Sequence, residues 1–402
     1  MRIDTPGRYV RTMALRSDPS QVRQGERTVK IRAAVLSATG AARPYAATRP
    51  LTIEEVDLAP PGPGEIRIRL AAAGLCHSDL SVINGDRPRP LPMALGHEAA
   101  AVVDALGEGV NDLAPGDHVV VVFVPSCGHC APCAEGRPAL CEPGAAANLA
   151  GTLLAGTRRL SRNGVPLNHH LGCSIFADHA VVSRRSVVRI DREVPLTEAA
   201  LFGCAILTGV GAVVNTAEVR AGASVAVVGL GGVGLAAVLG AVAAGARQVV
   251  AVDLADDKLA LARELGATDT VNASAVDAAE QVRALTKGGA EFVFEFAGAV
   301  KALELAYRIT CRGGMTITAG LPPSAATFAI PAVNLVVEER TVKGSYVGTC
   351  VPSRDIPRYI ALYRQGRLPV DRLLTGTLAL DDINLGFDRL QDGHAVRQVI
   401  VF

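Results

Sequence analysis

Cys127, Cys130, Cys133 and Cys141 stand within fifteen residues in the pattern C-x-x-C-x-x-C-x7-C. Four thiolates at that spacing satisfy a closed tetrahedral zinc site, structural because no coordination position is left for water or substrate. Disulfides and a nucleic-acid-binding zinc module are the competing uses. The first belongs to short secreted chains, and the second needs more cations and stacking aromatics than CGHCAPCAEGRPALC supplies. Three further candidates are dispersed: Cys76 in GLCHSD, His97 followed by Glu98 in LGHE, and Cys204 in FGCAILTG. Two thiols and one imidazole around a metal with one open position would be catalytic zinc chemistry, the vacancy taking a water or an alkoxide. A lone buried Cys or His is as readily an inert core residue, and only a fold can join positions more than a hundred residues apart.

A second chemistry is written at Gly229-Leu230-Gly231-Gly232-Val233-Gly234, which follows the apolar run SVAVV and opens the Ala-rich stretch LAAVLGAVAAGA. Strand, glycine turn and helix in that order form a dinucleotide fingerprint: Gly229 for the tight turn, Gly231 for backbone approach to a pyrophosphate, Gly234 for close helix–strand packing. The helix N-terminus offers unpaired N–H groups to phosphate. An ordinary strand-to-helix turn is the plainer alternative, and the surrounding order of elements argues against it. Asp253, ending the next strand QVVAV, would accept hydrogen bonds from the adenosine ribose; with no Arg directly after it, its charge favours NAD over NADP.

The elements that must hold these groups fall into two kinds of text. From about Val29 to Val124, short β-branched runs (EIRIRLAAAG, AAAVVDALG, GDHVVVVFV) alternate with Pro and Gly turns, as in a barrel-like all-β region. The cysteine segment is loop-like, and a polar, Gly-dotted stretch continues to about Asn168. Near Thr197 the period becomes helical, and LTEAALFGCAILTGVGAVVNTAEV predicts a helix leading into a second domain. From Ala223, strands and helices alternate, which implies a parallel sheet with crossover helices.

With 402 residues, two domains are expected. Forty Lys and Arg against thirty-nine Asp and Glu leave no global field for nucleic acid or an anionic membrane, so a small-molecule partner is expected. No uninterrupted apolar stretch is long enough to span a bilayer. The first thirty residues are Arg-rich without a secretory apolar region; Asp4, Asp18 and Glu26 oppose a transit peptide, and Met13 is an alternative start. Thiols with metal-ligand spacing suit a reducing, cytoplasmic setting.

In their order, GLCHSD, LGHEAAAVV, CGHCAPCAEGRPALC, GCAILTGVGAVVNTA, VAVVGLGGVGL and the closing HAVRQVIVF resemble the medium-chain zinc-dependent alcohol dehydrogenases, in the long form with a structural-zinc lobe. The likeness runs from about Val29 to Phe402. It implies an α/β chain built of a Rossmann doubly wound parallel sheet plus a mainly-β GroES-like catalytic domain. The parts would be an N-terminal extension (1–30), a catalytic domain (31–205) with its lobe (127–141), an NAD-binding domain (206–346) and a return to the catalytic domain (347–402).

The resemblance also implies roles. Cys76, His97 and Cys204 would bind catalytic zinc with Glu98 behind it, Asp79 would orient His97, and Ser78 would take the alcohol proton. His77 and Arg397 would hold the pyrophosphate, Thr208 would pack near the nicotinamide, and Lys258 would lie beside the adenosine ribose. Gly232 and Val233 complete the phosphate loop. Arg87, Phe123, Ala146, His170, Leu171, Leu321 and Tyr346 fall at pocket positions. Two zinc ions per chain, NAD and a homodimer follow, with a homotetramer as the alternative; FAIPAVNLVV and TVKGSYVG read as the strand-like pairing edge.

Two departures bear on function. The relay that ends on histidine in many members meets Ser81 here, which is no base near pH 7, leaving water, with help from His77, to take the proton. Glutathione-linked formaldehyde dehydrogenase, the rival activity, uses an Arg after the lobe and an acidic pocket residue where this chain has Ala145 and Arg87. A non-catalytic zinc- and NAD-binding relative is the remote alternative, opposed by the intact motifs.

Overall fold

The computed structural model describes residues 27–393 and 395–402. Most of the N-terminal extension therefore lies outside the described residues, and Val29 and Lys30, assigned to it above, already pair within the strand Val29–Leu36.

Three sheets carry the structure. The first orders the strands 165–166, 160–162, 51–58, 29–36, 93–94 and 168–169. The second runs 187–190, 118–121, 99–106, 65–74, 397–401 and 374–378, with 179–183 also paired to 65–74. Its central strand Glu65–Gly74 is buried at every position but Arg69 and Ala71, and the charged Glu65 and Arg67 within it are paired with Arg159 and Asp104. The chain's last strand, Arg397–Val401, pairs antiparallel with it, Val399 opposite Gly74, which brings Arg397 beside the strand end that leads to Cys76.

The third sheet is wholly parallel, in the order 269–272, 248–253, 224–228, 290–295, 310–318 and 341–344. Successive strands step one way from 224–228 and then the other way from 290–295. That reversal opens a crevice at the carboxyl ends of the central strands, where α/β sheets bind ligands.

The expected single helix after Thr197 is broken at Cys204, whose backbone (φ −137, ψ −68) leaves the helical region. The segments Leu196–Gly203 and Ala205–Thr216 meet at 53°. Glu98 supports the break, since the freed N–H of Ala205 donates to its Oε1 at 3.3 Å. Beyond it, helix Ala205–Gly211 lies flush on helix Gly232–Ala243: a Cβ on Gly209 would come within 2.3 Å of the Val233 carbonyl.

Two other segments differ from expectation. Ala332–Val337, within the strand-like FAIPAVNLVV, is a short helix opened by Pro331, whose fixed φ suits a helix start. Its β-branched residues bury nothing, so packing never selected a strand. The stretch after Cys141 holds a helix, Glu142–Ala150, begun with Pro143 and ended by left-handed Gly151. Among the described residues no single helix is long and apolar enough to cross a membrane.

Candidate active site

Cys76 ends the turn out of strand Glu65–Gly74, His97 lies just before strand Ala99–Leu106, and Cys204 sits at the helix break. Their ligand atoms all lie within 4.8 Å of one another, and all three residues are buried. Cys204 Sγ is 3.6 Å from His97 Nε2. Zn–S and Zn–N bonds of about 2.3 and 2.05 Å at a tetrahedral angle place sulfur and nitrogen about 3.6 Å apart, so the donor set fits zinc. Hydrogen bonding from Cys204, and then His97, hold the Cys76 thiol well below its usual range, while Cys204 is pushed up by Cys76 and by burial. A divalent cation would let both sulfurs be held as thiolates.

Behind these donors lies Asp79, fully buried on helix His77–Ile83. Its carboxylate is 3.1 Å from His97 Nδ1, equally close to His170 Nδ1, and accepts from the Gly96 N–H at 3.1 Å. Burial would raise Asp79, but His97 and His170 together bring it below the usual carboxylate range. Nδ1 of His97 is thereby engaged, which leaves Nε2 directed toward the two sulfurs. The resemblance placed His170 among the pocket positions, but its link to Asp79 was not legible in the sequence.

Glu98 and Arg397 form a buried ion pair at 3.0 Å, and Arg397 also donates to the Leu75 carbonyl at 3.1 Å. Burial lifts Glu98 to about 7 against the opposing effect of Arg397. Nε of Arg397 has no partner among the described residues and lies against the phosphate loop, 2.1 Å from where a Cβ on Gly232 would be.

That loop shares one cleft, with about 380 Å³ of internal space, with the donor Cys76; its walls are Cys76, His77, Ser78, Ser81, the turn from Gly229 to Gly234, Asp253, Lys258 and Arg397. Gly229 needs its positive φ of 89°, and Gly234 packs on the Gly229 carbonyl, where a Cβ would lie 1.8 Å away. Gly231 differs: a Cβ there would meet nothing within 4 Å, so the space beside it is a cradle open to a ligand. Asp253 accepts from Leu230 N–H at 2.6 Å and Ala255 N–H at 3.0 Å, which fixes its carboxylate on the cleft wall. His77, exposed to the cleft, is shifted toward its neutral form by desolvation first and by Arg397 and Lys258 after it. Ser81 donates to the His77 carbonyl at 2.8 Å. Thr208 is outside the cleft lining, one turn beyond Cys204.

Phe123 meets His97 edge-on at 5.1 Å and Tyr346 at 6.4 Å, and His170 stands 5.7 Å from His97. Leu171 is buried near this wall, Leu321 lines the cleft, and Ala146 is exposed on its helix.

In the lobe, the sulfurs of Cys127, Cys130, Cys133 and Cys141 also lie within 4.8 Å of one another. Cys127 Sγ accepts from the N–H groups of His129 and Cys130, and Cys141 Sγ from those of Cys127 and Gly144. The first of these, from His129, leads in lowering Cys127 to about 6. All nine cysteines are free, so the disulfide reading is not realised.

A doubly wound sheet opening onto a cleft that reaches Cys76 of a thiol, imidazole and thiol cluster is the arrangement of a zinc-binding dehydrogenase. Residues 62–192 match the alcohol dehydrogenase GroES-like domain and 232–365 the zinc-binding dehydrogenase domain. An alcohol dehydrogenase zinc-binding domain protein from Burkholderia ambifaria aligns at 36% identity and a TM-score of 0.88, covering 94% of this chain and 100% of that one. Benzyl alcohol dehydrogenase from Acinetobacter calcoaceticus aligns at 31% identity and 0.87, covering 93% and 99%. A zinc-binding dehydrogenase from Sinorhizobium meliloti, bound to NADP, aligns at 26% identity and 0.76, covering 93% and 100%. This chain belongs to the zinc-dependent medium-chain alcohol dehydrogenase family.

Proposed function

We propose that this protein is an NAD-linked alcohol dehydrogenase with two zinc sites per chain, interconverting a primary or secondary alcohol with its aldehyde or ketone. The observation that carries the reading is the shared cleft: Cys76, His77 and Ser78 face the same space as the Gly231 cradle and Asp253. Zinc, when bound, makes the alcohol oxygen more acidic, and NAD, when bound, accepts the hydride.

The chain's own residues do the rest. Cys76, His97 and Cys204 hold the metal, Asp79 fixes the His97 ring, and Cys127, Cys130, Cys133 and Cys141 hold the structural ion. Ser78 Oγ receives the alcohol proton and passes it outward. Ser81 Oγ is committed to the His77 carbonyl, so water is the final acceptor and oxidation gains from high pH. Asp253 favours the ribose hydroxyls of NAD and repels the extra phosphate of NADP, with Leu254 following where a compensating Arg would stand.

A dimer fits the exposed rim of the parallel sheet. Strand Thr341–Gly344 is open to pairing, and Val333, Val336 and Val337 beside it are 61%, 77% and 56% exposed. The deciding experiment is a panel of alcohols and aldehydes followed by NADH absorbance, repeated with NADP, and with formaldehyde in the presence and absence of glutathione. NAD-dependent turnover of simple alcohols without glutathione is expected; activity confined to the glutathione mixture would overturn the proposal.

A further inference from the structure

The helix that carries Ser78 and Asp79 runs into Asn84-Gly85-Asp86-Arg87-Pro88-Arg89-Pro90, a segment whose alternating prolines stiffen the backbone around two arginines. Arg87 is tied back by its N–H to the Ser81 carbonyl at 2.8 Å. Arg89 reaches the other way, Nη1 to the Asn148 carbonyl at 3.3 Å on helix Glu142–Ala150. Both side chains are half-buried.

Neither arginine has a carboxylate partner among the described residues. The neighbouring Asp86 is engaged with Asn84 through both its N–H and its side chain. Arg89 Nε and Asn148 Oδ1 are buried without partners. Arg89 is accordingly held below its usual pKa by desolvation first and by Arg87 second. Two adjacent cations partly withdrawn from water and left uncompensated are costly unless an anion joins them.

Their position says which anion. Neither lines the dinucleotide cleft, so they do not serve the cofactor's phosphates. They lie within electrostatic reach of Tyr346, and Arg89 also of His170. Tyr346 meets Phe123, and Phe123 and His170 both meet the candidate zinc ligand His97. The arginines thus lie near the aromatic side chains that border the candidate zinc ligand His97, on the segment that continues the helix of Ser78 and Asp79.

We propose that Arg87 and Arg89 form a carboxylate-binding subsite, and that the substrate is an alcohol or aldehyde bearing a carboxylate remote from the reacting carbon. This rests on the dehydrogenase reading above. Guanidinium groups bind carboxylates through paired, charge-assisted hydrogen bonds, and the stiff segment holds them in place for it.

The test uses the zinc-loaded protein with NAD. Benzyl alcohol is compared with para-(hydroxymethyl)benzoate, and hexanol with omega-hydroxyhexanoate, in wild type, Arg87→Met, Arg89→Met and Arg89→Lys. Wild type should favour the acid of at least one pair by roughly 10- to 100-fold in kcat/KM, the gain lying mainly in KM. That acid-to-neutral ratio should collapse in each Met variant and survive in part in Arg89→Lys. Calorimetric binding of benzoate to the same proteins gives a readout independent of turnover. Alcohol oxidation with no acid preference in wild type, or a preference untouched by the Met variants, overturns the subsite and leaves the dehydrogenase standing. If no alcohol is oxidised, the dehydrogenase reading falls, and benzoate binding equal in wild type and the Met variants then overturns the subsite as well.

Discussion

Replacing Gly231 with alanine should separate the fold from the cofactor. The residue has extended backbone (φ −69, ψ −177), which any residue adopts, and an added Cβ would meet nothing within 4 Å. Removing a glycine at such a site lowers the entropy of the unfolded chain and stabilises by about 0.4–1 kcal/mol. The same methyl projects into the cradle where the pyrophosphate would approach the backbone. Losing one charge-assisted hydrogen bond costs about 1.5–3 kcal/mol, equivalent to weakening the dinucleotide by roughly 10- to 150-fold. Gly234→Ala is the control, because its Cβ would lie 1.8 Å from the Gly229 carbonyl and the turn cannot form. The chain has no Trp, so NADH fluorescence can be titrated against a low protein background, with thermal unfolding measured alongside. Gly231→Ala should melt no lower than wild type and bind NADH far more weakly. Wild-type affinity in that variant, or a melting temperature that falls with it, would refute the separation.

Cys204→Ser should lower bound zinc from two ions per chain to one by metal analysis and abolish turnover, while NADH binding stays within a few-fold; loss of both would count against assigning metal and dinucleotide to different residues. Ser81→His places a base within the cleft, so the rate of oxidation at neutral pH should rise and its pH profile flatten; an unaltered profile would dispose of the water-terminated relay. Asp388 accepts from the N–H groups of Tyr45 and Ala46 and pairs with Arg43. Burial opposes its ionisation, yet these contacts depress its pKa in the fold. The stability it supplies is therefore full above the ordinary carboxylate range and disappears as pH falls through the depressed value. Asp388→Asn should cost about 1–3 kcal/mol at pH 7 by urea unfolding, the gap to wild type narrowing in acid; a gap that widens would reverse the sign.

Local spacing made two parts of the molecule legible before any fold was known: the four lobe cysteines, and the strand, turn and helix around Gly229 to Gly234. Both are written within a few turns of chain, so backbone geometry alone brings their atoms together. Cys76, His97 and Cys204 are a different matter, since nothing in their spacing joins them and only the resemblance grouped them. The break at Cys204 was hidden because its flanks have good helical periodicity, and the group that stabilises it, Glu98, is remote in sequence. The same holds for Asp79, which reaches His170 across about ninety residues, and for Arg397 beneath Gly232, which is placed by strand pairing over more than three hundred. Ala332–Val337 was misread for the opposite reason: β-branched composition reports packing on a sheet, and this segment buries none of its side chains.

The placement of the final strand bears on how the protein is made. Synthesis proceeds from the N-terminus and domains tend to fold as they emerge. The parallel sheet, complete by residue 344, can assemble on the ribosome. The sheet begun much earlier cannot, because Arg397–Val401 inserts between Glu65–Gly74 and Leu374–Leu378. The half translated first is therefore the last to mature, and Glu98 waits for its counter-charge until Arg397 has been made. A chain cut before Arg397–Val401 would keep its nucleotide fold and leave the metal pocket unsealed, a product for quality control to remove.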